Sequence, residues 1–183
     1  MKKTVAIILL TLVLAFSAVS CAEDIDTTEL LTYVNEGLEF SLPRYMRASD
    51  PTGTGYDMYF DNLKVFYTVK ELDKDTLTEL DLPETTTADE YFDHLMQINS
   101  LDKDKVFYER DEESKKINFR YIYDNGTETE TAMMYFVVIV GDPGNLWYIE
   151  MCCSEEDSEG MLSTFRSWMN HIEVTDKSET DKS

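Results

Sequence analysis

Basic residues are scarce in this chain. Its 16 lysines and arginines stand against 37 aspartates and glutamates, a formal charge of −21 at pH 7. Binding nucleic acid requires clustered cations that release counterions from phosphate, and no such cluster occurs, so nucleic acid is excluded as a partner. The same charge repels an anionic membrane surface. Histidine is limited to His94 and His171, which lie within or at the end of predicted helices at no ligand spacing. The patterns of zinc sites, nucleophile elbows and phosphate loops are missing as well. The expectation is no metal, no cofactor and no catalytic residue, hence a protein that is not an enzyme. His171 suits a helix C-terminus, and His94 a surface position beside an apolar stripe. Cysteine is also rare. Cys152 and Cys153 are adjacent, so on a strand they point to opposite faces, and a disulfide between them would be a strained ring. Two buried thiols without a redox role are expected.

Long apolar runs are few. The run at residues 5–19 follows Lys2 and Lys3, is too short for a comfortable membrane span, and has small residues Ala18 and Ser20 about its end. It reads as an export signal. Ala18-Val19-Ser20-Cys21 resembles the lipobox of bacterial lipoproteins, in which the processed cysteine carries diacylglycerol on its sulfur. The resemblance implies that residues 1–20 are a removed signal peptide and that Cys21 is the lipid attachment site. The expected location is then the extracytoplasmic side of a cell membrane, with acyl chains rather than charge as the anchor. Ordinary cleavage after Ala22, discarding Cys21, is the alternative. Residues 21–31 read as a short acidic tether, 32–174 as a single domain with a sizeable core, and 175–183 as a polar tail expected to be disordered.

The domain is organised around residues 146–174. Residues 146–153 are apolar on both alternate faces except at Glu150, as in a strand covered on both sides. Ser154 and Asp157 then resemble a capping box, and Met161, Leu162, Phe165, Trp168, Met169 and Ile172 fall on one helical stripe. A second helix follows the capping pair Thr87 and Glu90, with Tyr91, Phe92, Leu95 and Met96 on its apolar side. Before it come a hairpin at residues 33–43, an irregular stretch at 44–56, strands at 57–60 and 64–72, and a solvated charged connection at 71–84. After it come strands at 106–109 and 117–123, the turn signal Asn125-Gly126, and a strand over 128–140 whose uninterrupted apolar part marks the sheet centre.

This order predicts an α+β domain with one antiparallel sheet flanked by helices on both faces, a three-layer α/β/α arrangement. Gly37-Leu38-Glu39-Phe40-Ser41-Leu42-Pro43, Leu146-Trp147-Tyr148-Ile149 and the segment 165–174 resemble the PsbP-like fold. That fold is shared by a photosystem II extrinsic subunit, a Ran-binding nuclear import factor and many bacterial lipoproteins. The resemblance implies a scaffold over about residues 32–174 and no particular catalytic residue.

Two surfaces are candidates for chemistry. Glu150 lies in a strand otherwise fit for burial, where an ionised carboxylate needs a partner, and Arg120 or Lys70 could supply one from a neighbouring strand. A two-residue turn at Asn125-Gly126 would set Tyr121 opposite Glu130 and Tyr123 opposite Glu128. Two phenols and two carboxylates would then form a face able to receive a cation, or simply a shielded, soluble sheet tip. The preferred expectation is a noncatalytic binding or adaptor module with a protein partner in the cell envelope. The alternative is an accessory subunit or a carboxylate-based enzyme acting on extracellular polymers.

Overall fold

The computed structural model describes residues 29–103, 106–123 and 132–175. In chain order its first half contains β1 (Leu30–Asn35), β2 (Leu38–Pro43), β3 (Arg47–Ser49), β4 (Met58–Asp61), β5 (Val65–Glu71), α1 (Lys74–Glu79) and α2 (Ala88–Ile98). The second half contains β6 (Phe107–Asp111), β7 (Lys116–Tyr123), β8 (Met133–Asp142), β9 (Asn145–Ser154), a short 3₁₀ turn (Glu155–Asp157), α3 (Ser158–Met169) and β10 (Glu173–Val174). Among the described residues no helix is long and apolar enough to cross a membrane.

The two apolar runs of the sequence become the central strands. β8 and β9 pair antiparallel along their whole lengths, from Met133 opposite Ser154 to Asp142 opposite Asn145. Their turn needs glycine at Gly141. Its φ is 113°, and a Cβ there would lie 2.1 Å from the Asn145 carbonyl oxygen. Antiparallel strands extend this pair on both sides, giving the order β3-β4-β5-β9-β8-β7-β6.

A single sheet was expected, and the structure contains two. β1, β2 and β10 form a separate three-stranded sheet, with Glu173 opposite Glu39 and Val174 opposite Leu38. The reason is burial. Leu38, Phe40 and Leu42 are fully buried against Phe60, Tyr67 and α3, so the hairpin gains more by lying over the larger sheet than by lengthening it.

Alternation along β9 divides the interior. Trp147, Ile149, Met151 and Cys153 enter one core with β2 and with Phe165, Trp168 and Met169 of α3. Leu146 and Tyr148 enter the other, with Tyr91, Phe92, Leu95 and Met96 of α2. Both helices start where their capping residues stand. Thr87 Oγ1 accepts from Glu90 N at 3.3 Å while the Glu90 carboxylate accepts from Thr87 N at 2.8 Å. Ser154 Oγ accepts from Asp157 N at 3.3 Å and opens the 3₁₀ turn that feeds α3. At the other end of α3, Lys116 Nζ donates to the carbonyls of Met169 and Ile172, each at 3.1 Å.

Three further segments differ from expectation. The charged connection at 71–84 contains α1, because Asp73 accepts from Thr76 N at 2.8 Å and Leu77 buries itself in the α2 core. The irregular stretch at 44–56 contains β3, paired with β4. β1 begins at Leu30, within the residues read as a tether. The leader with Cys21, the turn Asn125-Gly126 with Glu128 and Glu130, and the tail at 176–183 lie outside the described residues.

Candidate functional site

Period-two alternation turns Tyr148, Glu150 and Cys152 toward the α2 side of the sheet. The register sets Phe119, Val137, Glu150, Thr68 and Tyr59 in one cross-strand row. The next row is Tyr121, Tyr135, Cys152 and Phe66. α2 packs on β7 and β8 and covers the first part of this face through Tyr91, Phe92 and Leu95. Beyond it, Tyr59, Phe66, Tyr121, Tyr135 and Glu150 are half-buried.

Glu150 is held by phenols. Tyr56 Oη donates to its Oε1 at 3.2 Å and Tyr148 Oη donates to its Oε2. Thr68 Oγ1 donates to its main-chain carbonyl at 3.4 Å. Among the described residues no cation pairs with it. Lys70 instead pairs with Asp57 at 3.6 Å, and the Arg120 guanidinium lies 5.0 Å from the Phe107 ring on the opposite side of the sheet. The expected ion pair is thus replaced by two neutral donors, because alternation points Arg120 away and the nearer Asp57 takes Lys70.

Burial lifts the Glu150 carboxyl above its ordinary pKa, against the pull of the two phenol hydrogen bonds. Burial, and then the Glu150 charge, raise the phenols of Tyr56, Tyr121 and Tyr148 and push Tyr91 up to about 12. The same two causes bring the Cys152 thiol to about 12. At neutral pH this thiol is not a thiolate, and these phenols keep their protons, so the group offers hydrogen bonds, ring surface and a carboxyl rather than a nucleophile.

Tyr56 reaches the carboxylate from a loop built for it. Gly53 and Gly55 adopt φ of 82° and 83° with nothing near a would-be Cβ, so only the backbone conformation demands glycine there. Immediately after Tyr56, Asp57 N donates to Val69 O at 2.9 Å and the Asp57 carboxylate accepts from Glu71 N at 2.6 Å, which ties the loop to β5. Tyr148 is braced by Tyr91, edge to face at 6.0 Å.

Of the two phenols anticipated at the sheet tip, Tyr121 belongs to this group and Tyr123 does not. Tyr121 stacks between Phe119 at 6.1 Å and Tyr135 at 5.1 Å. It faces Tyr135 rather than Glu130, and Tyr123, 55% exposed, faces Met133 rather than Glu128. This register buries the apolar set of β8. Tyr148 and Cys152 share the Glu150 face by simple alternation and were open to sequence reasoning. Tyr56, 94 positions away in the chain, was not.

Elsewhere, His94 is half-buried against Tyr91 with its Nε2 unpartnered, so it is not the surface residue expected. Cys152 and Cys153 are both free and buried. A cleft of about 650 Å³ lies between the turns near Lys115, Asp142 and Thr175, where Lys115 is already paired with Asp142.

No protein-family model matches the chain, and no curated protein matches it. Among solved structures it is similar to the solution structure of cyanobacterial PsbP (CyanoP) from Synechocystis sp., at 18% identity over 79% of this chain and 92% of that one, with a TM-score of 0.49. A likeness at that score carries no argument about site or activity.

Proposed function

We propose that this chain is an exported lipoprotein, held to the extracytoplasmic side of a membrane by acyl chains on Cys21, whose domain is a noncatalytic binding or adaptor module. Its architecture is the PsbP-like one that its sequence pattern resembles. The observation that carries the binding role is the Glu150 group: one half-buried carboxyl among protonated phenols and a protonated thiol, on the part of the sheet that α2 leaves half-open. Such a group recognises and retains; it holds no activated nucleophile. The charged exterior keeps the module soluble and off anionic lipid, so the covalent anchor sets its location.

The test is metabolic labelling with a fatty-acid probe. The wild-type protein is expected to take up label and sediment with membranes, and Cys21→Ser to do neither. Equal labelling of the two would remove the anchor.

One observation favours the second reading, of a carboxylate-based enzyme or accessory subunit on extracellular polymers. A carboxyl raised by burial is what a general acid requires. A glycoside-cleaving pair also needs a second carboxylate about 5 to 9.5 Å away. Polymer cleavage that is abolished by Glu150→Gln would favour that reading.

A further inference from the structure

α3 packs on β2, β8 and β9, and a cleft of about 500 Å³ lies between its first turns and the outer strands β6 and β7. Phe107, Ile122, Met134 and Leu162 give the cleft an apolar wall. Phe107 and Ile122 are 46% and 52% exposed, so much of that wall faces water. The register sets the wall on one face of the sheet: Phe107 is opposite Arg120, Ile122 is opposite Met134, and Arg120 and Ile122 are two positions apart on β7. Two charges line the same cleft. The Arg120 guanidinium lies 5.0 Å from the centre of the Phe107 ring, and Glu159 stands in the first turn of α3. Neighbouring charges are engaged, Arg110 with Asp89 and Arg166 with Glu109 at 3.9 Å. Among the described residues neither Arg120 nor Glu159 has an ion-pair partner, in the other or elsewhere. The ring contact draws on the guanidinium's charge and leaves its N–H fork without an acceptor among those residues.

We infer that this cleft binds a free apolar α-amino acid, with its carboxylate on the Arg120 fork, its ammonium on Glu159 and its side chain against the apolar wall. The inference rests on reading the domain as a binding module and places a ligand site apart from the Glu150 group. Charge selects the zwitterion. A guanidinium fork matches a carboxylate in a bidentate pair. A plain anion would also meet Glu159 and the field of a chain carrying −21, and a plain cation would meet Arg120. A molecule with both signs on neighbouring atoms serves both groups and adds no net charge. An interior peptide segment carries neither terminal charge, and a peptide end carries one. The wall selects an apolar side chain, because covering Phe107 and Ile122 removes apolar surface from water. The volume lies within the range of about 300 to 1,000 Å³ typical of small-molecule sites.

The experiment is isothermal titration of the full-length, detergent-solubilised protein with L-leucine and L-phenylalanine at fixed ionic strength. Leucinamide, which lacks the carboxylate, N-acetyl-leucine, which lacks the ammonium, and glycine, which lacks the side chain, form parallel arms. Saturable binding of at least one of the two amino acids is expected, with each of the three analogues at least tenfold weaker. Arg120→Gln and Glu159→Gln are each expected to weaken that binding at least tenfold. Thermal midpoints are read alongside, and if Arg120→Gln is misfolded, Arg120→Lys, which keeps the charge and loses the fork, is expected to show the same weakening. Leucinamide or N-acetyl-leucine bound as tightly as leucine would remove one of the two charged contacts and overturn the zwitterion. Glycine bound as tightly would remove the apolar wall, and affinity unchanged in both Gln variants would overturn the site. No binding of either amino acid with Cys21 still lipidated sinks this inference alone. Binding without lipidation sinks the anchor and leaves the cleft.

Discussion

The two faces of the seven-stranded sheet are built from the same strands and differ in kind. On the α3 side, Trp147, Ile149, Met151, Cys153, Phe165 and Trp168 close around one another with scarcely a polar atom among them. On the α2 side, the same strands contribute Thr68, Tyr121, Tyr135, Tyr148 and Glu150. Both sides use tyrosine, but differently. Tyr67 on the α3 side buries its hydroxyl with no partner, while Tyr148 and Tyr56 spend theirs on a carboxylate. One face is organised for burial, and the other keeps a carboxyl whose ionisation burial disfavours.

The largest test of that contrast is Trp168→Ala. The ring is 3% exposed and packs edge to face on Tyr67 at 6.3 Å and against Phe165 at 5.6 Å. Truncation should cost about 3 to 5 kcal/mol in urea unfolding, and a loss under about 1 would mean that the α3 side is not the stabilising core.

The next is a pair of identical substitutions on opposite faces. Tyr148→Phe removes a donor to a buried charge and should cost about 1.5 to 3 kcal/mol at neutral pH. Tyr67→Phe removes a hydroxyl that has no partner, so it should be neutral or stabilise by up to about 1 kcal/mol. Equal effects at the two positions would erase the distinction between the faces.

Much of this contrast was legible in the residues themselves. The uninterrupted apolar run at 132–140 and the run at 146–153, broken only by Glu150, identify the central strands, and Thr87 with Glu90 and Ser154 with Asp157 mark both long helices. Glu150 stands out as a lone acid in a buried strand. Period-two patterning names which residues share a face but not which strand lies beside them. That is why the hairpin's separation into its own sheet was not visible, and why Tyr121 was matched with Glu130 instead of Tyr135. The identity of the carboxylate's partners was hidden for a related reason. Tyr56 arrives through loop geometry set by Gly53 and Gly55 and by the Asp57 contacts to β5, none of which has a sequence period.

The smallest expected effect at neutral pH, and the most specific, is that of Glu150→Gln. Glu150 is faced by Tyr148 and Cys152 from its own strand, Tyr135 and Tyr121 from β8 and β7, Lys70 from β5, Tyr59 from β4, Tyr56 from the loop, and Tyr91 from α2. Lys70 is engaged by Asp57, and the phenols and thiol are protonated through the neutral range, so Glu150 is the group that titrates within this cluster on the acid side. Its folded pKa is raised, so the folded state binds its proton more tightly than the unfolded state does. That contribution to stability is fully present below the ordinary carboxylate range and is lost as pH rises through the folded pKa. Glutamine keeps the shape without ever ionising. The variant should therefore unfold at a higher temperature than wild type at pH 7, with the gap closing as pH falls below about 4. A gap that stays constant across that range would show that glutamine acts through packing, and that the α2 side carries no strained charge for a ligand to neutralise.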